Sequence, residues 1–206
     1  FASIIIEVSP WPTIAMAVAQ GIPSSAVIAS TKIQTAKRLQ HIFHSSSFRI
    51  YTNTDVIGAE LGGSLKNVMA IACGVCDGLG FGTNTKSALL SRGLSEMSRF
   101  GTAMGAKAKT FSGLTGLGDL VTTCFSPRSR NRSVGERLGK GEDIQTILSQ
   151  MTMVAEGVET TKAAYRLAKT LHVETPIISE VYNILYKRKS PPKAVSDLMT
   201  RMLKSE

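Results

Sequence analysis

Glu60-Leu61-Gly62-Gly63-Ser64-Leu65-Lys66-Asn67-Val68 sets one lysine among small residues inside an otherwise apolar run. Around it Ile57, Leu61, Leu65, Val68, Ala72 and Val75 recur at steps of three or four, the single buried stripe of a helix. The spacing predicts a helix over 56–78, with Lys66 off its stripe. Gly62 and Gly63 stand one turn before the lysine, and Ala70, Cys73 and Gly74 follow within about two turns. Glycine inside a helix costs roughly 1 kcal/mol relative to alanine, so a compensating gain is expected. One such gain is space: a groove without side-chain bulk, where a second backbone or a small molecule lies beside an amine suited to proton transfer. Tight helix packing with Lys66 snorkelling to water fits the same residues.

Downstream, Gly113-Leu114-Thr115-Gly116-Leu117-Gly118-Asp119-Leu120 leads into Ser126-Pro127-Arg128-Ser129-Arg130-Asn131-Arg132. The glycines permit backbone shapes that other residues resist. Arginine makes a bidentate fork to phosphate or carboxylate, and Ser and Asn add hydrogen bonds. Ser126 to Gly141 holds five basic residues and one acidic, a net +4 within the chain's +9. Charge so concentrated points to an anion site.

The first sixty residues read differently. Ile4-Ile5-Ile6, Ala26–Ala29 and Phe48–Tyr51 are short β-prone runs bounded by Pro, Ser and Gly. Between the last two, Thr31 to Phe43 reads as a helix with Thr31 as its cap. Strand, helix, strand is a parallel α/β unit, here too small to be a sheet of its own and so the edge of a larger one. After Thr54 the period is helical throughout, with helices expected near 56–78, 84–105, 129–139, 143–150, 156–171, 177–188 and 191–204. Asn84 reads as a cap, Gly105 as a stop, and Pro176 and Pro191 as helix starts. The fold class is therefore an α/β remnant, the edge of a Rossmann-type sheet over 1–55, followed by an all-α domain over 56–206.

With 43% hydrophobic and 19% charged residues in 206, the chain is a folded globule. Its apolar stretches are interrupted before roughly 18 positions, so no membrane span is expected. The start at Phe1 lacks an initiator Met and a basic leader, reading as a fragment or processed chain without a signal peptide. Cys73-Gly74-Val75-Cys76 is formally a CxxC, but it sits on an apolar helix without a second pair. Cys73, Cys76 and Cys124 read as buried reduced thiols of a cytoplasmic protein. His41, His44 and His172 have no metal-ligand spacing, so no metal is expected.

The strings ELGGSLKN, CDGLGFGTNTKSALLSRGLSEM, GLTGLGDLVTTC, SRNRSVGERLGKG and VAEGVET, in this order, resemble the bacterial-type NAD(P)-dependent glycerol-3-phosphate dehydrogenases over roughly three-quarters of the chain. The resemblance implies an oxidoreductase that interconverts sn-glycerol 3-phosphate and dihydroxyacetone phosphate by hydride transfer with NAD or NADP. The same resemblance implies a cytoplasmic role supplying glycerol phosphate for phospholipid synthesis. Lys66 matches the family's acid/base lysine, and Asp119, Ser129, Arg130 and Asn131 match its substrate residues. Arg130, Val154 and Glu156 match cofactor contacts. Arg128 and Arg132 have no counterpart and read as solvated or structural. Pro12-Thr13-Ile14-Ala15 aligns to a segment that makes Thr13 a substrate contact and Ala15 a cofactor contact. There Trp11 replaces an expected glycine and Ala17 a usual acid.

A family member carries G-x-G-x-x-G straight after a strand, where glycines let pyrophosphate approach a helix N-terminus. Nothing before residue 60 has it, so the chain on its own is expected to bind cofactor weakly or not at all. A related hydroxyacid-type dehydrogenase and an inactive fragment of the family stay open, as does a homodimer. The pI near 9.7 also admits a nucleic-acid-binding module. Against that, only 6% of residues are aromatic and none interleaves with the arginines of 128–140.

Overall fold

The computed structural model describes residues 15–203; Ile4-Ile5-Ile6 and Thr13 lie outside them. Its elements run α1 (Ala15–Ala19), β1 (Ser24–Ala29), α2 (Ile33–Phe43), β2 (Phe48–Asn53), α3 (Val56–Gly78) and α4 (Thr83–Ala103). Then come α5 (Ala108–Phe111), a π-helical turn (Leu114–Gly118), α6 (Asp119–Phe125), α7 (Arg130–Gly139) and α8 (Ile144–Ser149). The chain ends with α9 (Glu156–Thr170), α10 (Pro176–Lys187) and α11 (Pro191–Met199).

β1 and β2 pair in parallel from Ser24↔Phe48 to Ala29↔Asn53, joined by α2 as a crossover. Ala26, Ile28, Phe48 and Ile50 point to one face and form a small core with Ala36 of α2. Arg49 and Tyr51 alternate to the other, more open face. This is the α/β remnant, and every later element among the described residues is a helix or helical turn.

α3 is the axis of the helical domain, with α4, α6, α7, α9 and α10 packed against it. It is long and apolar enough to cross a membrane, yet 67% of its apolar window is buried within the protein, as in a core helix. Leu65, Val68 and Val75 of the expected stripe are buried, whereas Ile57 at the helix start is 46% exposed. Because neighbours surround α3, Met69, Ile71 and Cys73 are buried too, and no single stripe exists along its middle.

Asp55 caps α3 and ties it to the start of α5. Its Oδ1 accepts from Gly58 N–H at 3.0 Å, and its Oδ2 from Lys107 N–H at 2.8 Å and Thr110 Oγ1–H at 2.6 Å. Burial by itself would raise this carboxyl's pKa, but those hydrogen bonds outweigh it and the net shift is downward.

Most expected helices are present within a residue or two at each end, except that the last stops at Met199. Neither expected cap holds: Lys32 and Gly82 occupy the N-cap positions of α2 and α4, without side-chain hydrogen bonds. Gly105 does end α4, at φ +92° just past the C-cap. The periodicity predicts no helix between 105 and 129, yet α5, the π-turn and α6 all lie there.

Candidate active site

Lys66 emerges from α3 opposite α6. Its Nζ lies 2.5 Å from Asp119 Oδ2, and the two side chains are 18% and 1% exposed. Two close backbone approaches flank this pair. At Gly62, one turn before the lysine, a Cβ would stand 2.7 Å from the Thr115 carbonyl oxygen of the π-turn. At Gly157 of α9, a Cβ would stand 2.7 Å from the carbonyl oxygen of Asn67. The glycine on α3 therefore admits a neighbouring backbone, which seats the segment carrying Asp119 directly beside Lys66.

Asp119 opens α6, but it caps nothing: Gly118 holds the cap position and the aspartate side chain turns to the lysine. Burial raises its pKa, and the opposing pull of Lys66 and Thr123 offsets this only in part.

Asn67 is buried, not solvent-facing, and its amide reaches the Gly63 carbonyl and the Glu156 carboxylate, each at 3.5 Å. Asn131 Oδ1 accepts from Gly157 N–H at 2.9 Å within the interior. These contacts set the first turn of α9 against the middle of α3 and tie the first turn of α7 to it. Ser129 is the N-cap of α7, its Oγ accepting from Arg132 N–H at 3.2 Å. Arg130 is exposed at the first position of α7 and has no ion pair among the described residues. Val154, 72% exposed, and Glu156, also exposed, bracket the entry to α9. Ala15 opens α1.

The site is thus one ammonium–carboxylate pair beside the N-terminal ends of two helices, with an uncommitted guanidinium at one of them. Residues 55–196 match the model of the family described as NAD-dependent glycerol-3-phosphate dehydrogenase C-terminus.

The chain belongs to that family.

Among curated relatives, glycerol-3-phosphate dehydrogenase [NAD(P)+] of Citrifermentans bemidjiense is 54% identical over 195 residues. That of Desulfotalea psychrophila is 52% identical over 205 residues. The alignments cover 95% and 100% of this chain, and 58% and 60% of the relatives. Of solved structures, the glycerol-3-phosphate dehydrogenase of Coxiella burnetii superimposes with a TM-score of 0.90 at 41% identity, over 94% of this chain and 60% of that one. The Saccharomyces cerevisiae enzyme gives 0.84 at 28% identity, over 94% of this chain and 59% of that one. The chain therefore spans a little under two thirds of the length of these relatives.

Two features of the chain have no place among the sequence-based expectations. The Asp55 latch carries a legible signal, an acid immediately before a helix with its bonded N–H three residues on. The second is Asp77, near the end of α3, which meets Arg132 and Lys86. Partners so far apart in sequence leave no local pattern.

Proposed function

We propose that this chain is the substrate-binding part of an NAD(P)-dependent glycerol-3-phosphate dehydrogenase, with residues 1–55 the end of its dinucleotide-binding domain and 56–206 its catalytic domain. The observation that carries this is the Lys66–Asp119 pair at 2.5 Å, held beside the first turns of α7 and α9 in a member of this family.

In the reductive direction the Lys66 ammonium gives a proton to the carbonyl oxygen of dihydroxyacetone phosphate. In the oxidative direction the amine takes the hydroxyl proton of glycerol 3-phosphate. Asp119 balances the ammonium and holds Nζ in one place as the substrate oxygen changes charge. The phosphate dianion sits at the N-terminus of α7, where backbone N–H groups, the helix dipole and the Arg130 guanidinium converge. Ser129 adds a hydroxyl whose oxygen already accepts within the cap, leaving its O–H to donate outward. Asn131 fixes the relation of α7 to α9 through Gly157.

The nicotinamide cofactor, NAD or NADP, supplies or accepts the hydride when bound. The residues present fit one edge of it. Val154 offers exposed apolar surface, while Glu156 and Arg130 offer exposed polar groups at two helix starts. A pyrophosphate cradle is not among them, since no G-x-G-x-x-G follows β1 or β2. The reading extends to a cytoplasmic enzyme whose product feeds phospholipid synthesis.

The test is Lys66→Met in the full-length protein. We expect kcat to fall by roughly 10³-fold with folding retained, in the range for loss of a general acid or base. Turnover near that of the parent overturns the reading.

A further inference from the structure

Asp77 stands next to last in α3, far along the helix from Lys66, and its carboxylate serves two cations at once. Its Oδ2 accepts from Arg132 Nε–H at 2.7 Å, and Lys86 Nζ lies 2.9 Å from its Oδ1 and 3.1 Å from its Oδ2. Lys86 is 8% exposed, and its ammonium also sits 4.5 Å from the centre of the Phe125 ring. Phe125 is the last residue of α6 and Arg132 lies in the first turn of α7. The cluster therefore brackets residues 126–129, the link between the helix of Asp119 and the helix carrying Ser129, Arg130 and Asn131.

Arg132 acts on this link from both sides. Its guanidinium is held by Asp77, while its backbone N–H bonds Ser129 Oγ at 3.2 Å. Such a tie is needed because α3 and α7 meet mostly backbone to backbone. A Cβ at Gly74 would lie 2.0 Å from the Arg132 carbonyl oxygen, and one at Gly78 would lie 2.2 Å from that of Glu136. A surface without interlocking knobs resists rotation and sliding less than ridges set in grooves. Without the carboxylate, Lys86 and Arg132 face each other as like charges with little water between them, and the first turn of α7 is what gives way.

We propose that Asp77 is a positioning residue that aims the first turn of α7, and so the grip on the substrate's phosphoryl group. The proposal rests on the phosphate-binding role given above to Ser129, Arg130 and Asn131. Its signature is selective: the phosphorylated end of the substrate loses its fit while proton transfer at Lys66, on another part of α3, is untouched.

The test compares dihydroxyacetone phosphate with unphosphorylated dihydroxyacetone in the full-length enzyme, parent against Asp77→Asn. For the variant, we expect kcat/KM on the phosphorylated ketone to fall about 10-fold and the Ki of inorganic phosphate to rise about as much, with kcat/KM on dihydroxyacetone within about twofold. Arg132→Lys keeps the charge but not the in-plane Nε–H, so it is expected to shift the same constants by a smaller factor. Where Asp77→Asn fails to fold, the same comparison on Arg132→Lys decides. Equal losses on both ketones, or no change on either, overturn the proposal and leave the Lys66 reading standing. A parent enzyme that does not discriminate between the ketones and is not inhibited by phosphate overturns the phosphate site itself, and this proposal with it.

Discussion

The two ends of α3 are both short of side-chain bulk, and they use the room differently. Toward the C-terminus, Gly74 and Gly78 of α3 and Gly135 and Gly139 of α7 line a close seam between the two helices. A Cβ on Gly135 would lie 2.0 Å from the Ile71 carbonyl oxygen, so backbone touches backbone where side chains would normally interdigitate. Toward the N-terminus, Gly62 likewise receives a carbonyl, from Thr115, but there the approach delivers a buried carboxylate to a lysine. The same small residues admit backbone at both ends, beside the Lys66–Asp119 pair at one and the Asp77–Arg132–Lys86 cluster at the other. A glycine in a helix thus reports a close approach, and the partners of its charged neighbour tell what the approach is used for.

The hardest blow to the seam is Gly135→Ala. The added methyl meets backbone on both sides, Ile71 O at 2.0 Å and Val75 N at 2.9 Å, and no flexible side chain can yield. We expect a loss of at least about 3 kcal/mol, the upper end for overpacking, measured by urea unfolding. A variant within about 1 kcal/mol of the parent would show that the seam is looser than its geometry.

A control for the Lys66 end lies elsewhere in the core. Glu96 is 1% exposed and accepts from Ile177 N–H at 2.9 Å and Ile178 N–H at 2.8 Å, at the start of α10. Burial lifts its pKa to about 7 despite those bonds. A carboxyl whose folded pKa exceeds its unfolded value near 4.5 favours folding fully below pH 4.5, and that contribution is lost as pH rises through about 7. Over that window the parent is expected to lose about 2–3 kcal/mol of stability from this group, and Glu96→Gln to show a flatter profile. Unfolding curves at a series of pH values check it, and equal slopes in the two proteins would refute it.

What is legible in the sequence follows from how local each signal is. The period of α3 and the Pro-marked starts of α10 and α11 are written in neighbouring residues, and the structure has them where that period puts them. The stretch 108–125 is not legible in this way, because Gly113, Gly116 and Gly118 look like loop while tertiary packing holds them in and beside a π-turn. The expected groove at Gly62 proves to be occupied by the Thr115 backbone. Lys66 and Asp119 are found through ordered motifs, since nothing in their spacing makes partners of residues 53 apart. Asp77 lies within one of the ordered motifs, but no local pattern marks its role, its partners lying 9 and 55 residues away.

The smallest expected stability effect is the one that separates the two ends of α3 most clearly. Asp119 is a buried carboxylate with a net upward pKa shift, because burial raises it by more than Lys66 and Thr123 lower it. As with Glu96, its favourable contribution is complete below the unfolded value near 3.8 and is lost as pH rises. Raising the pH therefore takes away this carboxyl's favourable contribution to the fold, even with an ammonium at 2.5 Å. Asp119→Asn keeps the shape and removes that charge, while Lys66, with an 18% exposed side chain, retains some contact with water. We expect stability at pH 7 within about 1 kcal/mol of the parent, while kcat falls on the order of 10²-fold as the lysine loses its counter-charge. A residue kept for packing would give the reverse, several kcal/mol lost with turnover little changed, and the functional end of α3 would then be no different in kind from the seam.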